Sequence, residues 1–350
     1  MKISALATLC LAMFAFASAG LSQQNSSGRP VHTFRHGFLL FSTEGNTLTV
    51  RDFRTGEIIS KHALGKGAPG ELPAAATNYE FETLPAPPDA NSSSANAINH
   101  GQIVGSYYVP VDFRLEAENG AVFSGGGIQT LRYPGAVWTE FDGINAEGTI
   151  VGEYLTRPDT FVYKGLLYKD GKFSSIQVHN SVVTALSGIN DTGEIVGDYR
   201  TPSYQTVVGF LLANGVVTEI EFPNSTYTDA SGINNAGEIV GTYGTEGLFS
   251  VYFGFTYLNG VYTSFQVPGA LWTTGQAIND NGVVAGEYVD AAYNQHGFVL
   301  SNGQFTTIDY PGANGTYVLG IDDSGKIVGE YYGPSCPLRG QECAFVATPQ

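Results

Sequence analysis

Four carboxylates stand at one station of a repeating pattern: Glu153, Asp198, Glu287 and Glu330 each follow an Ile-Val-Gly or Val-Ala-Gly tripeptide and precede a tyrosine. Ser106 and Thr242 fill the same station in two further copies, so the column is broken. Carboxyl groups brought to a common mouth suit three kinds of chemistry: holding a cation, contacting a polar ligand, or acid and base work on a polysaccharide. A structural calcium ion is the alternative to having no cofactor, but the turns lack the closely spaced acids of a calcium loop, and no cofactor is expected. Trp138 and Trp272, the two tryptophans of the chain, share one station in two copies and offer flat faces to a sugar or a peptide. His179 departs from its own repeat, standing where other copies carry proline. A general base there would need an acid or nucleophile beside it, which sequence alone does not place. The nucleophile elbow, the His-Glu-x-x-His zinc motif, the phosphate loop and paired-cysteine zinc patterns are all absent from the sequence. These seven residues are therefore candidate ligand contacts, and none is assigned as catalytic.

The elements that must position them recur about every 45 residues, a period in the range of four-stranded propeller blades. Gly188-Ile189-Asn190-Asp191-Thr192-Gly193 opens a pattern that returns from 143, 232, 277 and 320, with a shorter version from Ala97. Asn190 and Gly193 suit the first and last positions of a type I turn between a first and a second strand. Asp170-Gly171, Asn214-Gly215, Asn259-Gly260 and Asn302-Gly303 tolerate the two positive φ angles of a type I′ turn, so a third and a fourth strand pair antiparallel. Pro-Gly-Ala at 134, 268 and 311 then ends the ladder by withholding a donor. Strands apolar on both faces, such as Phe210-Leu211-Leu212, suit a sheet flanked by two neighbours. A hydroxyl column (Ser93, Thr139, Thr184, Thr228, Thr273, Thr316) is expected to bond local backbone, and a tyrosine column (107, 154, 199, 243, 288, 331) to pack between units. Glycine within each second strand is expected to reflect crowding near the axis.

The sixth copy stops after a third strand at Cys343-Ala344-Phe345-Val346-Ala347, and Tyr79-Glu80-Phe81-Glu82-Thr83-Leu84 matches the missing fourth. The expectation is an all-β, six-bladed β-propeller of four-stranded antiparallel blades over 79–350, closed by its N- and C-terminal strands. Seven blades or an open repeat array are the alternatives, because 31–63 reads as an extra hairpin or a degenerate blade. Lys2, an apolar run from Ile3 to Phe16 and Ala17-Ser18-Ala19 read as a signal peptide over 1–19, leaving 20–78 as an N-terminal segment. No other run reaches the length of a membrane helix. The expected product is secreted or periplasmic, and Cys336 and Cys343 are expected to form a local disulfide there. A net charge of -16 repels a phosphate backbone and argues against nucleic acid as a partner.

With these motifs in view, the chain resembles the bacterial extracellular proteins of the HAF-repeat family over roughly 79–350. The family's His-Ala-Phe tripeptide is represented by His36-Gly37-Phe38 and His296-Gly297-Phe298, with Cys343-Ala344-Phe345 a looser match. The resemblance implies export and a repeat fold, and it brings no activity or catalytic residues. The reading at this stage is a secreted, acidic recognition or scaffolding module for an extracellular polysaccharide or protein. A polysaccharide hydrolase or lyase with paired carboxylates, and a structural envelope or matrix protein, are the alternatives.

Overall fold

The strand pattern is realised throughout the computed structural model, which describes residues 78–350 except 111–115, 125, 158–161, 202–205, 245–250 and 339–341. Before residue 78 it describes the backbone of five strands; the expected leader lies outside the described residues. The chain divides into compact units Met1–Pro69 and Gly70–Gln350. In the first, Gln23–Gln24, Pro30–His36, Leu39–Glu44, Thr47–Asp52 and Ile58–Ala63 form an antiparallel meander in chain order. The second unit is all-β, with no helix among its described residues.

Six four-stranded meanders make up this second unit. The first meander comprises Ser92–Asn99, Gln102–Pro110, Glu116–Ser124 and Gly127–Leu131; the second comprises Trp138–Ile144, Ile150–Leu155, Lys164–Lys169 and Lys172–Ile176. The same order repeats over 183–220, 227–265 and 272–308. Successive meanders join in pairs through single parallel bridges at Trp138 with Glu118, Val207 with Tyr227 and Gln295 with Gly315, which gives three eight-stranded sheets. In the sixth, Gly315–Ile321, Ile327–Tyr332 and Glu342–Pro349 are completed by Tyr79–Thr83, which pairs antiparallel from Phe345 with Thr83 to Pro349 with Tyr79. The fourth strand missing from the end of the sequence is thus supplied by residues 79–83.

Local chemistry explains the meanders. Asp170, Asn214, Asn259 and Asn302 all take positive φ and each is followed by a positive-φ glycine, as a type I′ hairpin demands. The second-strand glycines have a cause other than the expected axial crowding. A Cβ on Gly152 would stand 2.1 Å from the Glu140 carbonyl of the facing strand, because that strand carries a β-bulge opposite it, between Phe141 and Gly143. Close approach between meanders falls instead on the glycine of Gly-Ile-Asn: a Cβ on Gly188 would lie 3.1 Å from Gly232 Cα, and one on Gly320 would lie 3.1 Å from Ala97 Cα. First strands of neighbouring meanders touch there, including those of the sixth and the first.

Side-chain hydrogen bonds repeat with the fold. The expected hydroxyl column accepts backbone N–H groups of the preceding connection, as from Tyr133 to Thr139 Oγ1 (3.1 Å) and from Phe222 to Thr228 Oγ1 (3.0 Å). Ser93 differs, since the residue six before it is Pro87, which has no N–H, and it accepts from Ala344 of the sixth meander (3.0 Å). Each tyrosine of the column bonds a side chain on the outer strand of its own meander: Tyr107 with Thr130, Tyr154 with Ser175, Tyr199 with Glu219, Tyr243 with Ser264, Tyr288 with Thr307 and Tyr331 with Thr83. Their rings also pack between meanders, as where Tyr154 stacks on Tyr133 with centroids 3.6 Å apart. Beneath them the third-strand residues Leu166, Phe210, Phe255, Phe298 and Phe345 are fully buried, each contributing about 1.5–3 kcal/mol of apolar burial.

Phe81 packs on Tyr310 and Phe345, with centroids at 5.4 and 5.8 Å. Phe81→Ala is expected to destabilise the second unit by about 1–3 kcal/mol, measured as a fall in urea midpoint at constant slope; an unchanged midpoint would mean that 79–83 contributes nothing to folding.

Candidate functional site

The β-bulge recurs in every first strand and decides what faces the centre. The register slips between Ala95 and Ala97, Phe141 and Gly143, Leu186 and Gly188, Ala230 and Gly232, Gly275 and Ala277, and Val318 and Gly320. The skipped residues Asn96, Asp142, Ser187, Ser231, Gln276 and Leu319 line one narrow cavity of about 100 Å³ shared by all six meanders. A bulge re-aims a side chain that a regular ladder would bury in the sheet. Asn96 uses this placement to donate to Glu140 Oε1 (3.3 Å), the Phe141 carbonyl (3.0 Å) and Asp142 Oδ1 (3.2 Å) of the next meander.

Next to the bulges the candidate acids pair across strands: Glu140 with Glu153, Ala185 with Asp198, Thr274 with Glu287 and Tyr317 with Glu330. Glu153 and Glu287 are buried rather than solvated. Glu287 accepts a hydrogen bond from Gln295 Nε2 (3.1 Å), and burial pushes its carboxyl up to about 7 although Thr274, Gln276 and Gln295 oppose the shift. Burial also raises Glu330 well above the usual range, with Glu342 adding to the rise and the Ser94 hydroxyl countering it. Asp198 belongs to a different group: with Asp229 it bears on the buried Tyr227, whose hydroxyl is raised first by burial.

Glu118 stands at the centre of the first group, and its side chain is 0% exposed with neither oxygen in a hydrogen bond. Burial raises it most, then Glu140; Ser106 lies close enough to relieve the charge slightly without a hydrogen bond of normal geometry. The Tyr108 hydroxyl feels four carboxyl groups from three meanders, raised by burial and then by Glu118, Glu140, Glu330 and Glu342. Glu153 bears on Glu118, Glu330 on Tyr108, and Glu287 on Glu330.

Trp138 opens the second meander and Trp272 the fifth, so they begin strands three meanders apart. Trp138 is buried edge-on between Tyr108 (5.4 Å) and Tyr163 (6.0 Å), and its indole N–H has no hydrogen-bond acceptor. Trp272 is half-buried. His179 lies on the rim against Tyr199 (5.3 Å), with Nε2 3.7 Å from Glu219. Its φ of 51° is closed to proline, whereas the corresponding Pro-Gly turns place positive φ one residue later, at Gly135, Gly269 and Gly312. The departure at His179 is thus explained by a change of turn. Cys336, in the connection after the second strand of the sixth meander, forms a disulfide with Cys343 on its third strand. Among the described residues no group of three or more His, Cys, Asp or Glu is placed to hold a metal ion.

Glu118, Glu342 and Tyr108 were missed by reading columns, because each breaks one. Two residues before the third-strand glycine or alanine the meanders carry Glu118, Tyr163, Val207, Tyr252, Gln295 and Glu342. Two acids among aromatic, apolar and amide residues are the signal that would have found them.

No family model matches the chain, and no curated protein matches it. Among solved structures, TolB from Acinetobacter baumannii aligns at 11% identity over 79% of this chain and 77% of its own, with a TM-score of 0.45. A Hadza microbial sialidase, Hz136, aligns at 10% identity over 90% and 74%, with a TM-score of 0.47. The β-propeller domain of the Trilobed protease from Pyrococcus furiosus, described as having an open velcro topology, aligns at 13% identity over 70% and 68%, with a TM-score of 0.35. All three scores are low, and the strand pairing of this chain carries the fold on its own.

The raised carboxyls fix the direction of the pH dependence. Glu118, Glu287 and Glu330 hold protons more tightly folded than unfolded, so stability is lost as pH rises from the unfolded value of 4.5 through their folded values. His296 acts in the same sense: burial alone would lower it, yet Asp309 and Asp290 raise it, and its contribution is lost as pH rises above the unfolded 6.5. Glu287, at about 7, accounts for up to about 3 kcal/mol. Melting is expected at higher temperature near about pH 5 than near about pH 8, and Glu118→Gln or Glu287→Gln should raise the melting temperature at the higher pH and flatten the trend. Stability that climbs with pH over this window would contradict the assignment.

Proposed function

We propose that residues 79–350 form a closed six-bladed β-propeller, exported from the cell, that acts as a recognition or scaffolding module. Closure is supported by Gly320 lying against Ala97 and by the Ala344 N–H bonded to Ser93, both linking the sixth meander to the first. Export is supported by the leader pattern and by the Cys336–Cys343 disulfide, which belongs in an oxidising compartment. The recognition role rests on one observation: Glu118, on the third strand of the first meander, is 0% exposed and neither of its carboxyl oxygens has a hydrogen-bond partner. Such a group opposes folding, and a blade built for stability alone would place apolar residues there. The partner is an extracellular polysaccharide or a protein, and Trp138, being buried, is not part of the surface it meets.

A second reading is favoured by Glu287 alone. A carboxyl that burial keeps protonated up to about pH 7 is what a glycoside hydrolase uses as general acid.

Glycan and peptide arrays probed with the intact protein separate the two. Binding without product release supports recognition, whereas turnover abolished by Glu287→Gln establishes the enzyme. Silence on both arrays, with no ligand-dependent melting shift, would leave a structural envelope or matrix role.

A further inference from the structure

We propose that His296 is a proton-operated latch of the fifth meander: with both ring nitrogens protonated it seats the Asp290 carboxylate that knots the 290–294 turn, and loss of one proton unseats that carboxylate and opens the turn. The latch operates independently of the recognition role. His296 lies on the third strand, with its ring between two acids from different segments. Nδ1 stands 2.9 and 3.1 Å from the two carboxyl oxygens of Asp309, just after the fourth strand. Nε2 stands 3.5 Å from Asp290 Oδ2, just after the second strand. The Tyr288 ring stacks on the imidazole at 4.9 Å and 21°. Burial pushes the Tyr288 hydroxyl up to about 12, so it stays neutral, and Asp309 and Asp290 are the charges that face His296 among the described residues. The other meanders carry Asn119, Lys164, Val208, Phe253 and Cys343 at this station, so the arrangement belongs to the fifth.

A neutral imidazole donates through one nitrogen and accepts through the other, whereas an imidazolium donates through both. Between two carboxylates only the doubly protonated ring is matched on both sides, and turning it over merely exchanges the acids. Nε2 is closed to solvent and has no hydrogen-bond partner, so no water relieves a lone pair turned on Asp290. The contact at Nδ1 is the closer, so Nε2 gives up its proton first and Asp290 is the acid that moves. Asp290, itself buried, holds the turn together: Oδ1 accepts the Ala292 and Asn294 N–H groups at 2.8 Å, and Oδ2 accepts from Asn294 Nδ2 at 2.9 Å. When the carboxylate rotates away these bonds go with it. Burial alone would lower His296, but Asp309 and Asp290 raise it, so the latch is closed below the unfolded 6.5 and opens as pH rises through the higher folded value.

Hydrogen exchange at the Ala292 and Asn294 amides of the intact protein, corrected for intrinsic rates, reads the latch. Their protection is expected to fall roughly tenfold between about pH 6 and about pH 9, with the midpoint at which the His296 ring titrates by NMR. Ala236 and Glu238 donate to Asn234 Oδ1 in a turn of the same design built on a neutral amide, and should keep their protection. His296→Gln should make protection at Ala292 and Asn294 independent of pH, and Asp309→Asn should move the wild-type midpoint to lower pH. Melting curves verify that each variant is folded. Constant protection at Ala292 and Asn294 in the wild type overturns the latch. So does the same fall in His296→Gln, or an equal fall at Ala236 and Glu238, since the opening would then belong to the whole molecule.

Discussion

Five residues, 79–83, hold the last meander together. Tyr79–Thr83 pair with Glu342–Pro349, and without them that third strand would present an unpaired edge next to the fully buried Phe345. Thr83 also bonds the Tyr331 hydroxyl at 2.8 Å, filling the place taken by Thr130, Ser175, Glu219, Ser264 and Thr307 in the other five meanders. A contact between residues some 250 positions apart is slow to form and contributes only once the intervening chain is in place. In exchange, the sixth meander is completed, and its first strand lies against that of the first meander where Gly320 meets Ala97.

That geometry concentrates the unfavourable electrostatics of the molecule. The hydrophobic layer is much the same in five meanders, with Leu166, Phe210, Phe255, Phe298 and Phe345 fully buried on their third strands, while the first carries Ala121 at that station. The carboxyls do distinguish positions. Glu118, Glu330 and Glu287 are all raised by burial, and the first two by neighbouring acids as well, while Asp198 is drawn into a separate group with Asp229.

The frame was legible in the sequence because each device repeats. Asn-Gly dipeptides announced the type I′ turns, and the fourth-strand pattern at Tyr79 announced its partner before any coordinate did. The second-strand glycines were read correctly as sites of close approach but with the wrong neighbour, since a β-bulge is a property of paired strands and leaves no mark on one strand alone. The site was only half legible. Glu153, Glu287 and Glu330 stood out as a column, yet Glu118, Glu342 and Tyr108 occupy stations that vary from meander to meander. His179 departs from its repeat at a turn whose φ of 51° proline cannot adopt, and its ring lies 3.7 Å from Glu219.

Native-state hydrogen exchange along Tyr79–Thr83 tests the account most directly. If this strand completes the sixth meander, its bonded amides exchange as slowly as those of Ile327–Tyr332, through the same cooperative opening. Exchange at the rate of a free peptide in 79–83, while Ile327–Tyr332 stays protected, would contradict it.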